Sequence, residues 1–433
     1  VGDEILSGRR SDRHLAAVAE LLARQGAEVL LQSGAGAAAF YRDSEYSSAR
    51  LTEDRSELLG QADILLTVQP LDQEAIGQLR EGSTVIGFLH PHEHPECIAM
   101  MRDRNITGFS VELIPRLSRA QGMDALSSQA SIAGYKAALM AASRTARFFP
   151  MLTTAAGTIR PAKVLVIGAG VAGLAAIGAA KSMGAIVRSF DTRPEVKEQI
   201  ESMDAEFLML DFEDEEDGSG EGGYAKVMSD EFIAAEMALF ADQAKDVDII
   251  ITTALIPGKP APKLITAEMV ESMKDGSVIV DLAAEQGGNC ELTRPNECYV
   301  HNGVTIIGYT DMASRLANQS SQLYATNLRH LLTDMTPEKD GNIVIDFEDE
   351  VVRGATVCRQ GEITYPPPPP QISAAPPKPA AEPEPAPAPK KKSVAGPIIG
   401  MVVAGLALLG LGSVAPADFM AHFTVFVLAC FVG

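Results

Sequence analysis

The chain has only five cysteines among its 433 residues, and they are widely scattered. They are Cys97, Cys290, Cys298, Cys358 and Cys430. No two of them stand in the Cys-x-x-Cys spacing that is typical of zinc and redox sites. We therefore expect no disulfide framework and no cysteine-built zinc site, and we expect the chain to face a reducing compartment.

Positive charge is also scarce in this sequence. Lysine and arginine together number 36 against 57 acidic residues, which gives a formal net charge of −21. The phosphates of a nucleic acid would be repelled by this charge, so we expect no nucleic acid partner.

The N-terminus lacks an apolar leader. The chain opens Val1-Gly-Asp-Glu, with charged residues where the continuous apolar core of a signal peptide would stand. Because the sequence does not begin with methionine, we expect its true start to lie upstream.

Residue patterns for hydrolytic or covalent catalysis are missing as well. The sequence shows no nucleophile beside a base, no Ser-His-Asp order and no carboxylate pair. Histidines cluster in His90-Pro-His92-Glu-His94-Pro, but the two prolines predict an irregular loop after a strand over 84–89. Without a second cluster of ligands we predict no metal site there, and His90 remains a candidate acid for reduction of a 2-oxo acid.

The most informative segment is Lys163-Val-Leu-Val-Ile-Gly-Ala-Gly-Val-Ala-Gly. Its apolar, β-branched run predicts a strand that is buried on both faces of a parallel sheet. Gly168, Gly170 and Gly173 follow in Gly-x-Gly-x-x-Gly spacing. In a dinucleotide site these glycines allow a tight turn, the approach of a pyrophosphate and close packing of the next helix on the strand.

A carboxylate stands at the second position that such a site requires. Asp191 ends another apolar strand about 20 residues after the glycines, where it can accept hydrogen bonds from an adenosine ribose. The same charge would repel a 2′-phosphate, so the site is predicted to prefer NAD(H) to NADP(H). Arg188 and Arg193 flank this acid and are expected to soften the preference.

Alternating strand and helix patterns on both sides of the motif predict an α/β fold with two Rossmann-like parallel-sheet subdomains and a cleft between them. Strand-like runs occupy residues 28–31, 64–68, 84–89, 107–112, 185–190, 248–252, 277–281 and 304–308. Residues 127–149 and 320–334 are predicted to form long helices that join the subdomains. We expect the first subdomain over 1–126, completed by 320–364, and the nucleotide-binding subdomain over 127–319.

The C-terminal part changes in composition. Residues 365–392 are rich in proline and alanine and predict an extended linker without a packed core. Residues 393–433 begin with an uncharged stretch of roughly the 20 residues that cross a bilayer, and a second apolar stretch follows it. We therefore predict a transmembrane region, apparently incomplete, with the linker on the cytoplasmic side because Lys390, Lys391 and Lys392 precede the span.

Two loops carry further candidate residues. An acidic, glycine-rich insertion over 211–226 is too polar for a core, and its aromatic Tyr224 is suited to a lid that closes on a bound nucleotide. Residues 115–130 combine Arg, Gln, Asp and Ser at the predicted mouth of the cleft. Their amide and hydroxyl groups could fix a nicotinamide carboxamide, while Ser127 is predicted to be the N-cap of the following helix.

Five segments read together resemble the α subunits of proton-translocating NAD(P) transhydrogenases. They are the glycine motif, Asp191-Thr-Arg-Pro-Glu-Val-Lys-Glu-Gln, Thr252-Thr-Ala-Leu-Ile-Pro-Gly-Lys-Pro-Ala-Pro-Lys-Leu-Ile-Thr, Asp281-Leu-Ala-Ala-Glu-Gln-Gly-Gly-Asn-Cys-Glu and Arg116-Leu-Ser-Arg-Ala-Gln-Gly-Met-Asp. The resemblance implies direct hydride transfer between NAD(H) on this chain and NADP(H) on a partner β subunit, coupled to proton translocation. It also implies a homodimer within an α/β assembly in the cytoplasmic (inner) membrane, with the nucleotide-binding part on the cytoplasmic side.

The resemblance also implies roles for individual residues. The nicotinamide end would be held, as the catalytic set, by Arg116, Gln121, Asp124 and Ser127, with Ser118 and Arg119 in the same loop. The adenosine end would be held by Val171, Asp191, Thr192 and Arg193. Gly223 and Tyr224 would lie in a closing loop, with Leu255 beside it.

Two other functions stay open on the sequence. An alanine dehydrogenase would share the two-lobed fold and could use His90 as its acid, but Thr67 or Gln69 stands where its lysine is expected, and no matching arginine is found. A membrane-tethered NAD(H) sensor would share the binding site, and only dependence on a partner subunit separates it from the transhydrogenase.

Overall fold

Two sheets organise the part of the chain that the computed structural model describes, which comprises residues 14–210, 228–255 and 260–367. The strands are β1 Val29–Gln32, β2 Ala49–Thr52, β3 Ile64–Leu66, β4 Thr84–Gly87, β5 Thr107–Ser110, β6 Leu152–Thr154, β7 Gly157–Ile159, β8 Lys163–Ile167, β9 Ile186–Phe190, β10 Glu206–Phe207, β11 Ile249–Thr252, β12 Val278–Asp281, β13 Cys298–His301, β14 Val304–Ile307, β15 Thr356–Arg359 and β16 Glu362–Ile363. The helices are α1 His14–Arg24, α2 Arg55–Gln61, α3 Gln73–Gln78, α4 Pro95–Asp103, α5 Ala125–Arg144, α6 Val171–Ser182, α7 Lys197–Ser202, α8 Asp230–Asp246, α9 Ala267–Ser272, α10 Ala317–Met335 and α11 Glu350–Ala355.

The larger sheet has seven strands in the order β10-β9-β8-β11-β12-β14-β13. All neighbouring pairs are parallel except β13 with β14. Strands β11 and β12 are buried along their whole length, as expected when helices cover both faces of a parallel sheet. The first six strands follow the strand order of dinucleotide-binding folds. The direction in which successive strands are added to the sheet reverses between the neighbouring strands β8 and β11.

The smaller sheet has five strands in the order β16-β15-β5-β4-β3. Strands β3, β4 and β5 are parallel, and β15 pairs antiparallel with β5. The chain therefore returns to this sheet after helix α10, at the end of the described residues. The strand predicted at 28–31 forms as β1, but it pairs only with β2 in a separate two-stranded sheet.

Helix α5 differs from its prediction at both ends. It begins at Ala125, because the side chain of Asp124 accepts a hydrogen bond from the Ser127 N–H at 2.8 Å and so caps the helix. The prediction of Ser127 as the N-cap is therefore wrong, although its hydroxyl donates to the same carboxylate at 2.6 Å. The helix ends at Arg144 rather than at Phe149, because the chain turns to an extended conformation at Thr145.

Helices α5 and α6 pack against each other on one face of the larger sheet. The contact is made by small residues, since Ala137, Ala138 and Ala141 of α5 share a buried cluster with α6. At the closest point a Cβ atom on Gly134 would lie 1.9 Å from the carbonyl oxygen of Ala172. Only glycine fits there, and this contact fixes the beginning of α6 against the middle of α5.

The predicted membrane region cannot be followed in the structure. Within residues 14–210, 228–255 and 260–367, no helix combines the length and the apolar character that a membrane crossing needs. The predicted transmembrane region over 393–433, and the linker beyond residue 367, lie outside the described residues.

We predict that Gly134→Ala destabilises the fold. The new methyl group would clash with the backbone of α6, which is overpacking worth about 1–3 kcal/mol, and thermal melting of the purified chain measures it. Gly60→Ala is the control, because Gly60 lies in α2 with no atom within 4 Å of a Cβ built there. If Gly134→Ala melts like the control, the close contact between α5 and α6 is not as described.

Candidate functional site

The glycine motif forms a tight turn between β8 and α6. Gly168 has a positive φ of 93°, and a Cβ on Gly173 would lie 1.8 Å from the Gly168 carbonyl oxygen. A Cβ on Gly170, in contrast, would meet no atom of the described residues within 4 Å. The first and third glycines are therefore required by the fold, whereas the space above the second is open to a ligand.

The N-terminus of α6 has no side-chain capping partner among the described residues. Its N-cap is Gly170, which makes no capping hydrogen bond, and the first turn contains no acidic residue. The N–H groups of this turn point out of the end of the helix, which is also the positive end of the helix dipole. Together with the open space over Gly170, they form a place where phosphate oxygens can be bound.

Asp191 lies beside this turn, immediately after β9. Its Oδ2 accepts a hydrogen bond from the Ala169 N–H at 2.7 Å, and its Oδ1 accepts one from the Arg193 N–H at 2.9 Å. The Arg193 guanidinium donates to both oxygens, each at 2.8 Å. Arg193 thus neutralises the acid directly, while Arg188 pairs with Asp246 and Glu206 instead.

Two polar atoms around the site lack partners among the described residues. The hydroxyl of Thr192, next to Asp191, is buried without a hydrogen bond, and so is Oε1 of Gln286, which follows β12. Buried polar groups are normally paired, so such atoms indicate positions where a ligand or water completes the bonding. The carboxylate of Asp191 and the hydroxyl of Thr192 therefore fit the hydroxyl groups of a ribose.

Residues 116–127 lead into helix α5, whose close contact with α6 links them to the glycine turn. Ser127 precedes Gly134 by two helical turns, or roughly 10 Å. Arg116, Ser118 and Gln121 are exposed, and the described residues offer the Gln121 side chain no hydrogen-bond partner. Arg119 is held by Asp349 and, at 3.4 Å, by Asp334, so its charge is turned toward the smaller sheet's helices.

The loop after β11 forms another wall of the site. Leu255 is 36% exposed there, and Val171 at the start of α6 is 39% exposed. Thr253 donates its hydroxyl hydrogen to the Gly168 carbonyl at 3.0 Å, and fully buried Asn289 bonds both backbone groups of Ala254. Sequence reasoning missed Thr253 and Asn289, although both lie in the segments that carry the resemblance. Gly223 and Tyr224 lie outside the described residues.

Charged side chains that follow strands of the two sheets influence one another near His90. Burial raises the pKa of the Glu285 carboxyl, which follows β12, and the charge of Glu93 from the smaller sheet's side raises it further. The electrostatic effect of His90 acts in the other direction and lowers the pKa of Glu285. Side chains from both sheets therefore act on one another here, as expected for a cleft between two lobes.

Comparison with known proteins gives two domain matches. The model of the alanine dehydrogenase/PNT N-terminal domain matches residues 12–133, and that of the C-terminal domain matches residues 137–366. The NAD(P) transhydrogenase subunit alpha of Haemophilus influenzae is 52% identical, over 94% of this chain and 80% of its own length. The subunit of the same name from Cereibacter sphaeroides is 49% identical, over 95% of this chain and 81% of its own length.

This chain belongs to the NAD(P) transhydrogenase alpha-subunit family. The crystal structure of a transhydrogenase from Sinorhizobium meliloti agrees with this assignment, with a TM-score of 0.69 and 37% identity over 82% of this chain and 94% of that chain. The resemblance seen in the sequence and the α/β fold with Rossmann-like parallel sheets are therefore confirmed.

The loop that begins at His90 bears on the alternative function, that of an alanine dehydrogenase. His90 adopts a positive φ of 44°, and Glu112 accepts its N–H at 2.7 Å, so the loop is held in one conformation. Thr67 and Gln69, the two residues predicted to stand where alanine dehydrogenase has its lysine, are joined by a hydrogen bond from the Thr67 hydroxyl to the Gln69 carbonyl at 2.7 Å. Among the described residues, no three His, Cys, Asp or Glu side chains are grouped to hold a metal.

An unusual carboxyl lies on helix α8, behind Asp191. Glu236 is only 7% exposed, and it forms no hydrogen bond or ion pair with a described residue. Burial raises the pKa of Glu236 to about 7, and the charge of Asp191 adds to the rise. The family's sequence motifs gave no signal for this residue.

We predict that this carboxyl makes the fold less stable as pH rises. Its pKa is near 4.5 when unfolded and about 7 when folded, so its penalty is absent below pH 4.5 and grows until the pH passes 7. As the pH rises from 5 to 7.5, the melting temperature of Glu236→Gln should therefore increase relative to that of the wild type. A constant difference across this range would show that Glu236 does not titrate there.

Proposed function

We propose that this chain binds NAD(H) at the carboxyl ends of the strands in the larger sheet and exchanges hydride with NADP(H) on a β subunit, coupled to proton translocation across the membrane. The observation that carries the proposal is the open backbone at Gly170, beside the free N–H groups of α6 and the carboxylate of Asp191. These features provide separate places for a pyrophosphate and an adenosine ribose.

In this proposal the adenosine end lies against Asp191, Thr192 and Arg193. The ribose hydroxyls would donate to Asp191 and pair with the orphaned hydroxyl of Thr192. For this, Arg193 must release at least part of the carboxylate that it now occupies. A 2′-phosphate would bring negative charge toward Asp191, which favours NAD(H) over NADP(H).

The nicotinamide end would lie at the start of α5. Gln121 is exposed and has an amide that can bond a carboxamide, while Asp124 and Ser127 hold each other in a fixed position. Arg116 would orient the ring, with Ser118 and Arg119 supporting the loop. The dihydropyridine ring of the bound nucleotide supplies the hydride itself, so these residues need only position it.

The remaining parts of the proposal concern the assembly. We infer a first lobe over 1–126 and 320–364, a nucleotide-binding lobe over 127–319, a linker over 365–392 and a membrane region over 393–433. Gly223 and Tyr224 would belong to a loop that closes on the nucleotide beside Leu255. Two copies of this chain would pair and join the β subunit in the cytoplasmic membrane, with the lobes on its cytoplasmic side.

The decisive experiment is reconstitution of the full chain with its β subunit in vesicles. The mixture should transfer hydride between NADH and an NADP⁺ analogue and acidify or alkalise the vesicle lumen, whereas a nucleotide sensor would transfer none. Oxidation of NADH by the isolated chain that depends on pyruvate and ammonium would instead favour alanine dehydrogenase. The presence of Thr67 or Gln69 where that enzyme's lysine is expected argues against that result.

We predict that Gly170→Ala lowers the affinity for NADH by about tenfold without lowering the melting temperature. The added methyl group meets no protein atom, but it occupies the space where the pyrophosphate would approach the backbone. Calorimetric titration with NADH measures the affinity. Gly60→Ala serves again as the matched control, and unchanged affinity in Gly170→Ala would refute the phosphate site.

We predict that Gln121→Ala slows hydride transfer at least tenfold while NADH affinity changes much less. A nicotinamide ring that the Gln121 amide no longer holds loses the geometry that hydride transfer needs. Because Gln121 is exposed, its side chain contributes little to the stability of the fold. Stopped-flow transfer in the reconstituted complex gives the rate. Gln78→Ala, an exposed glutamine on α3, is the control, and equal rates in the two variants would remove Gln121 from the nicotinamide end.

A further inference from the structure

Glu236 lies behind the proposed adenosine end in apolar surroundings. It belongs to helix α8, whose residues Phe232 and Phe240 share a buried cluster with Phe190, the neighbour of Asp191. The residue is only 7% exposed, and the described residues give its carboxyl no hydrogen bond or ion pair. A largely buried polar group without a protein partner needs a ligand or a water to complete its bonding.

The charged groups on the elements packed around α8 do not compensate this carboxyl. Arg188 on β9 is bound to Asp246 and Glu206, Lys263 to the carbonyls of Gly287 and Gly288, and Arg193 to Asp191. Four other charged groups on α8 and α9 are acids and cannot neutralise the Glu236 carboxylate. They are Glu268 and Glu271 of α9 and the exposed Asp230 and Glu231 of α8. Among the described groups, Asp191 is the one whose charge acts on Glu236.

Resting on the proposed NAD(H) site, we propose that Glu236 belongs to its adenosine end and is neutral in the complex, so that nucleotide binding takes up a proton. The four hydrogen bonds on Asp191 include two from the Arg193 side chain. When ribose hydroxyls replace that guanidinium, the neighbouring carboxylate loses its compensating positive charge. Glu236 then lies beside a negative charge that no positive charge compensates, which favours its protonated form.

The protonated form also supplies the missing bonding partner. Two ionised carboxylates beside one ribose would both act only as acceptors and would repel each other. A neutral Glu236 can donate one hydrogen bond and accept another, and it meets no charge penalty in its apolar surroundings. The proton comes from solvent, and no bond of the nucleotide changes in this step.

Calorimetric titration of the full chain with NADH in phosphate and in Tris, at pH 7.5, tests the inference. The two buffers differ in ionisation enthalpy, so the difference in binding heat gives the number of protons taken up. We expect uptake of roughly half a proton or more in the wild type and none in Glu236→Gln. Adenosine 5′-diphosphoribose, which lacks the nicotinamide, should give the same uptake because the effect belongs to the adenosine end.

Affinity gives a second readout. NADH binding to the wild type should weaken between pH 7 and pH 8, by up to roughly tenfold, while the affinity of Glu236→Gln stays constant. Glu231→Gln, on the exposed side of the same helix, should behave like the wild type. If Glu236→Gln does not fold, Glu236→Leu replaces it, since an apolar side chain suits the surrounding cluster.

The outcomes separate this inference from the proposed function. NADH binding without proton uptake in the wild type, or uptake that persists in Glu236→Gln, would overturn the role of Glu236 and leave the nucleotide site intact. An absence of any NADH binding would overturn the nucleotide site itself.

Discussion

The contact between Gly173 and the carbonyl of Gly168 is the constraint on which the rest of the site depends. Because a single added carbon would lie 1.8 Å from that oxygen, helix α6 can begin only where these two backbones meet. The same helix then touches α5 at Gly134, and α5 in turn begins at Asp124. Two glycine contacts thus relate the proposed phosphate end of the site to the proposed nicotinamide end through two packed helices.

The remaining walls of the site are held by buried polar groups rather than by apolar packing. Asn289 fixes the loop after β11, and fully buried Asp281 accepts hydrogen bonds from Thr252, Thr293 and two backbone N–H groups. Each of these groups joins segments that are distant in sequence. The loop after β11, in which Leu255 is 36% exposed, is therefore anchored at its base.

The sequence predicted those elements that local pattern determines. The buried strands β8, β11 and β12 follow from apolar runs, and the turn at Gly168 follows from glycine spacing. The antiparallel return of β15 to β5 could not be predicted, because it depends on pairing across about 250 residues of chain. The cap of α5 was misassigned because Asp124 and Ser127 are both good caps, and only the observed bond distinguishes them. Roles for the site residues stay predictions.

In the proposed NAD(H) site, the pairing of Arg193 with Asp191 has a consequence for exchange of the nucleotide. An arginine only two positions away remains tethered beside the carboxylate whenever a ribose occupies it, at a high effective concentration. It can therefore re-form its bonds while the ribose departs, so the acid is never left dehydrated and bare. Such intramolecular competition would shorten the residence time of the spent nucleotide, which suits the proposed site because that site must empty once in every catalytic cycle.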